Sequence, residues 1–414
     1  MTQQLFTDIR LGLFVHWGLY AIPGWHEQQQ WRAQVPKRDY ERLMHQFNPR
    51  HFSPDAWLDL AEAAGMQYVC LTAKHHDGFC LWDTDCTDYK VTQTPFGKDV
   101  VAMLAEACRR RGFRLSLYYS CPDWHHPNAI NLGGDHQLPQ PNPGDQPDLL
   151  KYIAYVRNQV RELCTRYGDL AQLFWDIPPR LDIPDLNAMV RELQPGILIN
   201  DRGFGPGDYA TPERQVPEGG AFRRLTEACQ SVGAQSWGYR RDEDYYTAPF
   251  LCRCIDRILA MGGNYLLNVG PDQDGRIPAP AAAILRDIGD WYARAREAFA
   301  HAQPAPRLTT NRDVLLTRHG DALYVHLPNG CTCTGLTLEP IAEQPIRATL
   351  LHDGSPVRAA VEQLPSFWRQ GPCLHLSGLP ADRLQATVPI IRLDFAPGAL
   401  DRLAAAPGQW QATL

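Results

Sequence analysis

The first candidate for chemistry is a carboxylate at the end of a buried strand. Residues 173–175 are apolar and aromatic, Asp176 follows them, and Pro178 and Pro179 stand shortly after it. Proline cannot continue a central strand, so Asp176 lies where the strand stops. Burying a carboxylate is costly unless it has a partner or a chemical task. We therefore predict that Asp176 is a catalytic nucleophile; a helix N-cap or a loop-tip carboxylate is the alternative.

Further polar side chains follow other segments that are predicted as strands. They are His16, His75, His76, Tyr118, Asp123, Asp201, Arg202 and Glu213. In a barrel of parallel strands the carboxyl ends meet around one pocket, which is where such folds carry their chemistry. A single histidine after a strand is usually structural, but several clusters at the same strand ends indicate an active site.

Two kinds of chemistry fit these residues. His16, His75, His76 and Asp176 could bind zinc in a metal-dependent hydrolase. However, strand one ends His16-Trp-Gly and lacks the second histidine of an HxH motif. Without a metal, imidazole and guanidinium groups suit the hydroxyls of an uncharged sugar, and two carboxylates suit a retaining glycosidase. We favour the glycosidase and predict no metal and no other cofactor; a catalytically silent sugar-binding protein is a further alternative.

Strands and helices alternate through the first three quarters of the chain. The predicted strands are residues 11–16, 67–72, 114–119, 171–176, 197–200, 209–213, 234–237 and 265–269. The predicted helices are residues 53–64, 99–111, 148–166, 186–193, 249–261 and 279–298. This alternation predicts an α/β fold, a (β/α)8-like TIM barrel. Helices after the fifth and sixth strands are poorly marked, so an incomplete barrel is the alternative.

The pattern changes at residues 302–306, beyond which short strands alternate with Gly, Pro and Asp turns. The predicted strands are residues 314–317, 322–327, 336–338, 348–351, 373–376 and 390–395. They predict a small C-terminal β-sandwich. We expect a catalytic domain at residues 1–302 and the sandwich at residues 303–414. The sandwich is expected to pack against one flank of the barrel rather than to bind carbohydrate. Phe367 and Trp368 are the obvious adjacent aromatic pair for carbohydrate binding.

Composition excludes several partner classes. The chain has 414 residues, 21% of them charged, and a net charge of -6, so neither nucleic acid nor an anionic membrane is expected as a partner. No stretch reaches the length of a membrane span. The 12 cysteines form no CxxC pair, and residues 1–10 lack the features of a signal peptide. We therefore expect a cytoplasmic protein with reduced thiols.

Several motifs recur together in one order and carry a resemblance to a known family. They are Gly12-Leu-Phe-Val-His-Trp-Gly18, Thr72-Ala-Lys-His-His-Asp-Gly-Phe-Cys-Leu-Trp82, Tyr118-Tyr-Ser120, Phe174-Trp-Asp176, Asn200-Asp-Arg202, Ser236-Trp-Gly-Tyr239 and Asn264-Tyr-Leu-Leu-Asn-Val-Gly-Pro271. With them, residues 8 to 300 resemble the α-L-fucosidases of glycoside hydrolase family 29. The Lys-His-His-Asp-Gly-Phe block is the most specific of these motifs.

The resemblance implies a barrel followed by a β-sandwich, and hydrolysis of terminal α-L-fucose from small oligosaccharides with retention and without a metal. It matches Asp176 to the nucleophile and Glu213 to the acid/base, with Glu218 and Glu227 as alternatives. Positions that it matches to fucose contacts are His16, Glu27, His75, His76, Tyr118, Phe174 and Arg202.

This chain departs from the family pattern at two positions. Gln28 follows Glu27 where the family often has Trp, and Phe174 replaces a common Trp two residues before the nucleophile. By the alternation of a strand, Phe174 still points to the same side as Asp176. The early Trp25-His-Glu segment and Thr211-Pro-Glu resemble the α-1,3/1,4-specific branch of the family.

Overall fold

The computed structural model describes residues 6–7, 9–134, 136–177, 183–363, 371–384 and 388–405. The chain forms two compact units. The first comprises Met1–Gln215, Arg224–Tyr246 and Asn264–Arg286, and the second comprises Val216–Arg223, Thr247–Gly263 and Asp287–Leu414. The domain boundary predicted after residue 302 stays a prediction.

The first unit is built on a curled parallel sheet of seven strands, in the order β5-β4-β3-β2-β1-β7-β6. The strands are β1 Leu11–Val15, β2 Tyr68–Lys74, β3 Arg114–Ser120, β4 Leu170–Asp176, β5 Leu198–Ile199, β6 Glu227–Ser231 and β7 Asn264–Val269. Every residue of β1, β2, β6 and β7 is buried, as expected for parallel strands covered on both faces. Because the strands are parallel, their carboxyl ends share one edge of the sheet.

The helices of the first unit begin and end where local signals place them. They are α1 Gln29–Arg32, α2 Lys37–Glu41, α3 Pro54–Ala63, α4 Val100–Arg111, α5 Leu149–Arg166 and α6 Leu186–Leu193. Side chains of Ser53, Asp99 and Asp148 cap the amino ends of α3, α4 and α5. Gly112 ends α4 in the left-handed conformation, with φ 75°. The predictions of α3, α4, α5 and α6 are confirmed.

Each of the seven strands contributes buried side chains to one cluster inside the curled sheet. The buried set is Phe6, Ile9, Phe14, Tyr68, Cys70, Tyr118, Phe174, Leu198, Tyr209, Cys229 and Leu266. Close packing leaves no room for a side chain at position 12, where a Cβ would come within 2.2 Å of the Tyr68 ring. Gly12 therefore lets the Tyr68 ring cross the interior.

The region predicted as strands six and seven differs from expectation. Residues 209–213 form isolated bridges rather than a regular strand: Tyr209 bridges to Asn200, and Glu213 bridges to Cys229 in β6. The prediction of a strand at 234–237 is wrong, because those residues form bends and the strand lies earlier, at Glu227–Ser231. The strand β6 is polar in sequence because Glu227 and Ser231 form hydrogen bonds inside the sheet, while Cys229 between them packs in the buried cluster.

The second unit contains two antiparallel sheets, ordered β12-β15-β10-β9-β8 and β11-β14-β13. Their strands are β8 Gln303–Pro304, β9 Leu315–His319, β10 Ala322–His326, β11 Gly335–Leu338, β12 Arg347–Leu350, β13 Arg358–Glu362, β14 Cys373–Ser377 and β15 Ile390–Asp394. The helices α7 Ala248–Ala260 and α9 Ala399–Ala405 belong to this unit, and α8 Ala279–Ala295 runs into it. The predicted strands are confirmed, and β8 and β13 are additions.

Both antiparallel sheets contribute to one buried core, for example Leu323 and Leu393 from the larger sheet and Leu374 and Leu376 from the smaller. Phe367 and Trp368 lie outside the described residues. Within the described ranges, no helix combines the length and the apolar character that crossing a bilayer would need.

Candidate active site

The carboxyl ends of the parallel strands surround a cavity. It is lined by Phe14, His16, Glu27, Gln28, His75, His76, Tyr118, His136, Phe174, Asp176, Ile177, Glu213 and Trp237. The structure thus brings all the predicted site residues except Arg202 to the cavity lining. Arg202 lies beside the cavity and bonds to both catalytic candidates, Asp176 and Glu213. Since these residues come from segments far apart in the chain, the parallel sheet is what assembles them.

Asp176 is the last residue of β4, and three side chains surround its carboxylate. Tyr118 donates from its hydroxyl to Oδ2 at 2.7 Å, and an Arg202 guanidinium nitrogen donates to Oδ1 at 3.0 Å. His76 Nε2 lies 3.7 Å from Oδ2. The backbone is fixed too, because the Cys121 amide donates to the Asp176 carbonyl at 3.1 Å. The carboxylate is therefore aimed into the cavity with both oxygens oriented.

These contacts decide the charge of Asp176. Burial by itself would raise the pKa of this carboxyl, but the electrostatic interactions with His76 and Arg202 and the hydrogen bond from the Tyr118 hydroxyl outweigh burial and lower the pKa below its ordinary value. Near pH 7 the imidazole of His76 is neutral, since burial lowers its pKa to about 4. Arg202 and Tyr118 are thus the groups that keep Asp176 ionised at neutral pH.

The residue after Asp176 has an unusual backbone conformation. Ile177 has φ 57°, in the left-handed region that β-branched residues avoid, and its side chain lines the cavity. Such a conformation costs on the order of 1–3 kcal/mol and persists where the surrounding structure requires it. It turns the chain out of β4 directly after the carboxylate, so Asp176 stays at the strand end.

The hydrogen bonds of His76 fix its tautomer. The Ser120 hydroxyl donates to the Pro122 carbonyl at 2.7 Å, and so its oxygen accepts from His76 Nδ1 at 2.6 Å. With the proton on Nδ1, neutral His76 presents the lone pair of Nε2 toward the cavity. The ring can therefore accept a hydrogen bond from a ligand hydroxyl beside Asp176.

His16 is fixed by the same logic. The side-chain amide of Asn268 donates to Ser231 Oγ at 3.0 Å and to the Trp237 carbonyl at 2.6 Å, so its oxygen accepts from His16 Nδ1 at 2.7 Å. Burial lowers the pKa of His16 to about 4. Burial also lowers the pKa of His75, whose Nδ1 has no hydrogen-bond partner among the described residues. The cavity thus presents neutral imidazoles, which suit an uncharged polyhydroxylated ligand.

Glu27 reaches the cavity from the loop after β1. Its Oε2 accepts from the Ser236 hydroxyl at 2.6 Å and from the amides of Trp237 and Gly238 at 3.0 and 3.2 Å. Burial acts to raise the pKa of Glu27, but the electrostatic interaction with His26 and the Ser236 hydrogen bond overcome it, and the pKa is lowered. Its Oε1 is buried and has no partner within the described part of the chain. An ionised oxygen is thus left to accept a ligand hydroxyl.

Glu213 is the exposed carboxylate of the cavity, with a side chain 42% accessible. Arg202 bonds to it as well as to Asp176, and also holds the Thr211 side chain and carbonyl. One guanidinium therefore joins the nucleophile candidate to the acid/base candidate. Of the alternatives, Glu218 is exposed and does not line the cavity.

Glu227 is buried on β6 and does not line the cavity either. Its Oε2 accepts from the Tyr68 hydroxyl at 2.5 Å and from the Gln172 amide at 2.7 Å. Burial raises its pKa to about 7. Two other candidate carboxylates are in ion pairs: Asp123 with buried Lys74 at 3.0 Å, and Asp201 with Arg224 at 2.8 Å. None of these three acids lines the cavity.

Sequence reasoning missed several lining residues. Trp237 stacks on His16 with ring centroids 5.4 Å apart, and its Ser236-Trp-Gly motif could have indicated it. Phe14 alternates with His16 along β1 and its continuation, so period-two alternation could also have found it. His136 follows Gly133 and Gly134 in an irregular loop, where no local pattern marks it.

The metal-hydrolase alternative requires converging ligands. Within the described ranges of the chain, no group of three or more His, Cys, Asp or Glu side chains is arranged to hold a metal ion. His16 and His76 each use Nδ1 in bonds to neutral protein groups, Asn268 and Ser120. The geometry instead offers hydrogen-bonding groups around two carboxylates.

Comparisons with known proteins also indicate a glycosidase. Residues 1–297 match the family model described as Alpha-L-fucosidase. Tissue alpha-L-fucosidase of Bos taurus is 29% identical over 84% of this chain and 79% of its own length. Tissue alpha-L-fucosidase of Homo sapiens is 28% identical over 91% of this chain and 86% of its own.

Solved structures agree. Alpha-L-fucosidase isoenzyme 1 from Paenibacillus thiaminolyticus has a TM-score of 0.85 and 32% identity, over 96% of this chain and 99% of that chain. A family 29 α-L-fucosidase from Bacteroides thetaiotaomicron, trapped as a covalent intermediate with 2-fluoro-fucosyl fluoride, has a TM-score of 0.79 and 27% identity, over 95% of this chain and 96% of that chain. The protein is a glycoside hydrolase and belongs to the α-L-fucosidases of family 29.

Proposed function

We propose that the protein is a retaining exo-α-L-fucosidase that removes terminal α-L-fucose from oligosaccharides through a covalent fucosyl-enzyme on Asp176. The observation that carries the proposal is the ionised carboxylate of Asp176, oriented by Tyr118 and Arg202 in a cavity walled by neutral imidazoles. We infer further that the curled sheet and residues 209–213 act as an incomplete (β/α)8-like barrel and that the two antiparallel sheets form a β-sandwich.

In the first step the Asp176 carboxylate attacks the anomeric carbon of fucose. The bond to the leaving oxygen breaks, and Glu213 gives that oxygen its proton. Glu213 bonds to Arg202 in the free enzyme, so substrate must loosen this contact before Glu213 acts as an acid. Its accessible side chain leaves room for that movement.

In the second step water attacks the anomeric carbon of the fucosyl-enzyme. Glu213 now accepts the proton of the water, and Asp176 leaves as a carboxylate. The departing charge on Asp176 is stabilised by the Tyr118 hydroxyl and the Arg202 guanidinium, which already bond to its two oxygens. The same contacts that keep the nucleophile ionised thus also favour its release.

Binding of the sugar ring is assigned to groups that need no rearrangement. His16, His75 and His76 offer ring nitrogens, Glu27 offers an unpartnered oxygen, and Phe174 offers an apolar face. We propose fucosylated oligosaccharides, with preference for α-1,3 and α-1,4 linkages, as substrates. Disaccharides with α-1,2, α-1,3, α-1,4 and α-1,6 linkages, compared by kcat/KM, test this preference.

A cytoplasmic location is proposed as well. The described residues include all 12 cysteines, none of them in a disulfide and most of them buried, which supports a reducing compartment. Fractionation of the source cells, with detection of the native protein in the soluble cytoplasmic fraction, tests this location. Recovery outside the cytoplasmic fraction would contradict it.

One experiment tests the reaction. Hydrolysis of an aryl α-L-fucoside, followed by NMR from the first turnover, should yield the α anomer of fucose before mutarotation. First formation of the β anomer would show inversion and contradict the proposal. Dialysis against a chelator should leave the rate unchanged; a loss that zinc reverses would favour the metal-dependent hydrolase. No turnover together with fucose binding would favour a silent sugar-binding protein.

A further inference from the structure

His136 completes a row of histidine rings along the cavity. Ring centroids lie 5.6 Å apart between His16 and His75, 4.1 Å between His75 and His76, and 5.4 Å between His76 and His136. The first three rings come from strand ends, whereas His136 comes from the loop between β3 and α5. All four line the cavity, so the loop residue continues the row of imidazoles that the strand ends begin.

The position of His136 is fixed by two tryptophans. The Trp31 ring stacks on it at 5.3 Å and 27°, and the Trp31 indole donates to the next carbonyl, of Gln137, at 3.0 Å. The Trp124 indole donates to the His136 carbonyl itself at 2.6 Å. These bonds hold His136 at φ 57°, a conformation that non-glycine residues seldom adopt. The stacking and the backbone hydrogen bonds therefore hold the His136 ring in a defined orientation at the cavity wall, although its backbone conformation is unfavourable.

One nitrogen of this ring makes no hydrogen bond to the described part of the protein. His136 Nδ1 is buried and has no hydrogen-bond partner among the described residues. A buried ring nitrogen without a partner loses hydration and gains nothing until a ligand supplies a hydroxyl. Gln28, which also lines the cavity, accepts from Arg32 Nε at 2.8 Å with its side-chain oxygen, whereas His136 Nδ1 has no such bond among the described residues.

We propose that His136 is a substrate-contacting residue that forms a hydrogen bond with one hydroxyl of the fucosyl ring, with Trp31 as the residue that positions it. The proposal rests on the fucosidase function proposed above. It makes the loop after β3 part of the sugar site and assigns affinity for the fucosyl ring, rather than the chemical step, to His136.

The test uses His136→Phe, which keeps a ring between Trp31 and His76 but removes both nitrogens. The matched control is His126→Phe, a histidine of the same loop that packs on Tyr155 at 4.1 Å and does not line the cavity. Loss of one neutral hydrogen bond should raise KM for an aryl α-L-fucoside and the inhibition constant of free L-fucose about three- to tenfold, with kcat nearly unchanged. The control should match wild type.

Deoxy analogues of L-fucose separate contact from packing. One analogue, lacking the hydroxyl that His136 binds, should inhibit His136→Phe and wild type equally, while the other analogues keep the difference. An unchanged inhibition constant for L-fucose in His136→Phe would overturn the proposal, and so would an equal loss for every analogue. If wild type neither hydrolyses the fucoside nor binds fucose, the proposed function fails instead.

Discussion

Two carboxyls of the same parallel sheet behave in opposite ways. Asp176, at the end of β4, has its pKa lowered, whereas burial raises the pKa of Glu227, on β6, to about 7. Both accept hydrogen bonds from a tyrosine, Tyr118 in one case and Tyr68 in the other. The difference is the cation: Arg202 contacts Asp176, while the bonds to Glu227 come from the neutral groups of Tyr68 and Gln172.

The comparison shows that burial alone does not make a carboxylate a nucleophile. Burial disfavours charge at both sites, and at Asp176 the neighbouring His76, Arg202 and Tyr118 together reverse its effect. The ionised carboxylate lies at the carboxyl edge of the sheet, in the cavity, and the other closes a polar network in the interior. A carboxyl group can thus serve in the reaction or in the structure of the sheet, and its neighbours decide which.

The largest difference between the two carboxyls is expected in the turnover rates of variants that lack them. Asp176→Ala should lose roughly 10³-fold or more in turnover of an aryl α-L-fucoside, because nucleophilic catalysis divides one hard step into two. Added azide should restore part of the rate by occupying the vacated space. Glu227→Gln, which removes the charge of the other carboxyl, should stay near the wild-type rate. Near-native activity in Asp176→Ala would place the nucleophile elsewhere.

The second-largest loss of rate is expected from removing Glu213, the proposed acid/base. Glu213→Ala should lose at least ~10²-fold on a natural disaccharide, since the poor leaving group needs protonation. With an activated aryl fucoside, formation of the fucosyl-enzyme should survive and its hydrolysis should slow, which a pre-steady-state burst would reveal. Glu218→Ala is the control and should lack this split. A split in Glu218→Ala or Glu227→Ala, with equal losses in Glu213→Ala, would move the assignment to that residue.

Removing the cation should make Asp176 resemble Glu227. Arg202→Met leaves burial in place and takes away the guanidinium, one of the groups that lower the pKa of Asp176, so that pKa should rise. Because the reaction needs ionised Asp176, the acidic limb of the kcat/KM profile should move to higher pH by the same amount. Arg224→Met, which removes the exposed Asp201 pair, is the control. An unmoved acidic limb would show that Tyr118 suffices.

The smallest effect on activity, but a clear one on stability, is expected from Glu227→Gln. The pKa of Glu227 rises from an ordinary 4.5 to about 7 in the folded chain. Between these values the unfolded chain releases a proton that the folded chain keeps, so stability falls as pH rises through this window. The loss is on the order of 3 kcal/mol above pH 7.

Glutamine removes that titration, and so the advantage of Glu227→Gln over wild type should grow from pH 4.5 to 7. Melting temperatures of both proteins across this pH range measure it. A constant difference between the two proteins would contradict the raised pKa. The sign is opposite to that at Asp176, where the lowered pKa favours the folded state as pH rises.

Local signals account for most of the elements. Strands such as residues 265–269 are short apolar runs with sharp ends, and helices such as α4 carry a capping Asp99 and a terminal Gly112, so neighbours in sequence decide them. The strand at 227–231 is different. Its residues Glu, Ala, Cys, Gln and Ser are polar or small, and their partners Tyr68 and Gln172 are remote in sequence. No local pattern could place this strand.

The same distinction holds for the site. The sequence by itself determined that Asp176 ends a strand and that His16, His75 and His76 follow others, because strand ends are local features and parallel strands bring them together. Only the tertiary structure decided that Arg202 joins Asp176 to Glu213, that Glu227 bonds inside the sheet, and that His136 faces the cavity. Those contacts join segments whose separation in sequence hides their charge, burial and hydrogen bonding from any local pattern.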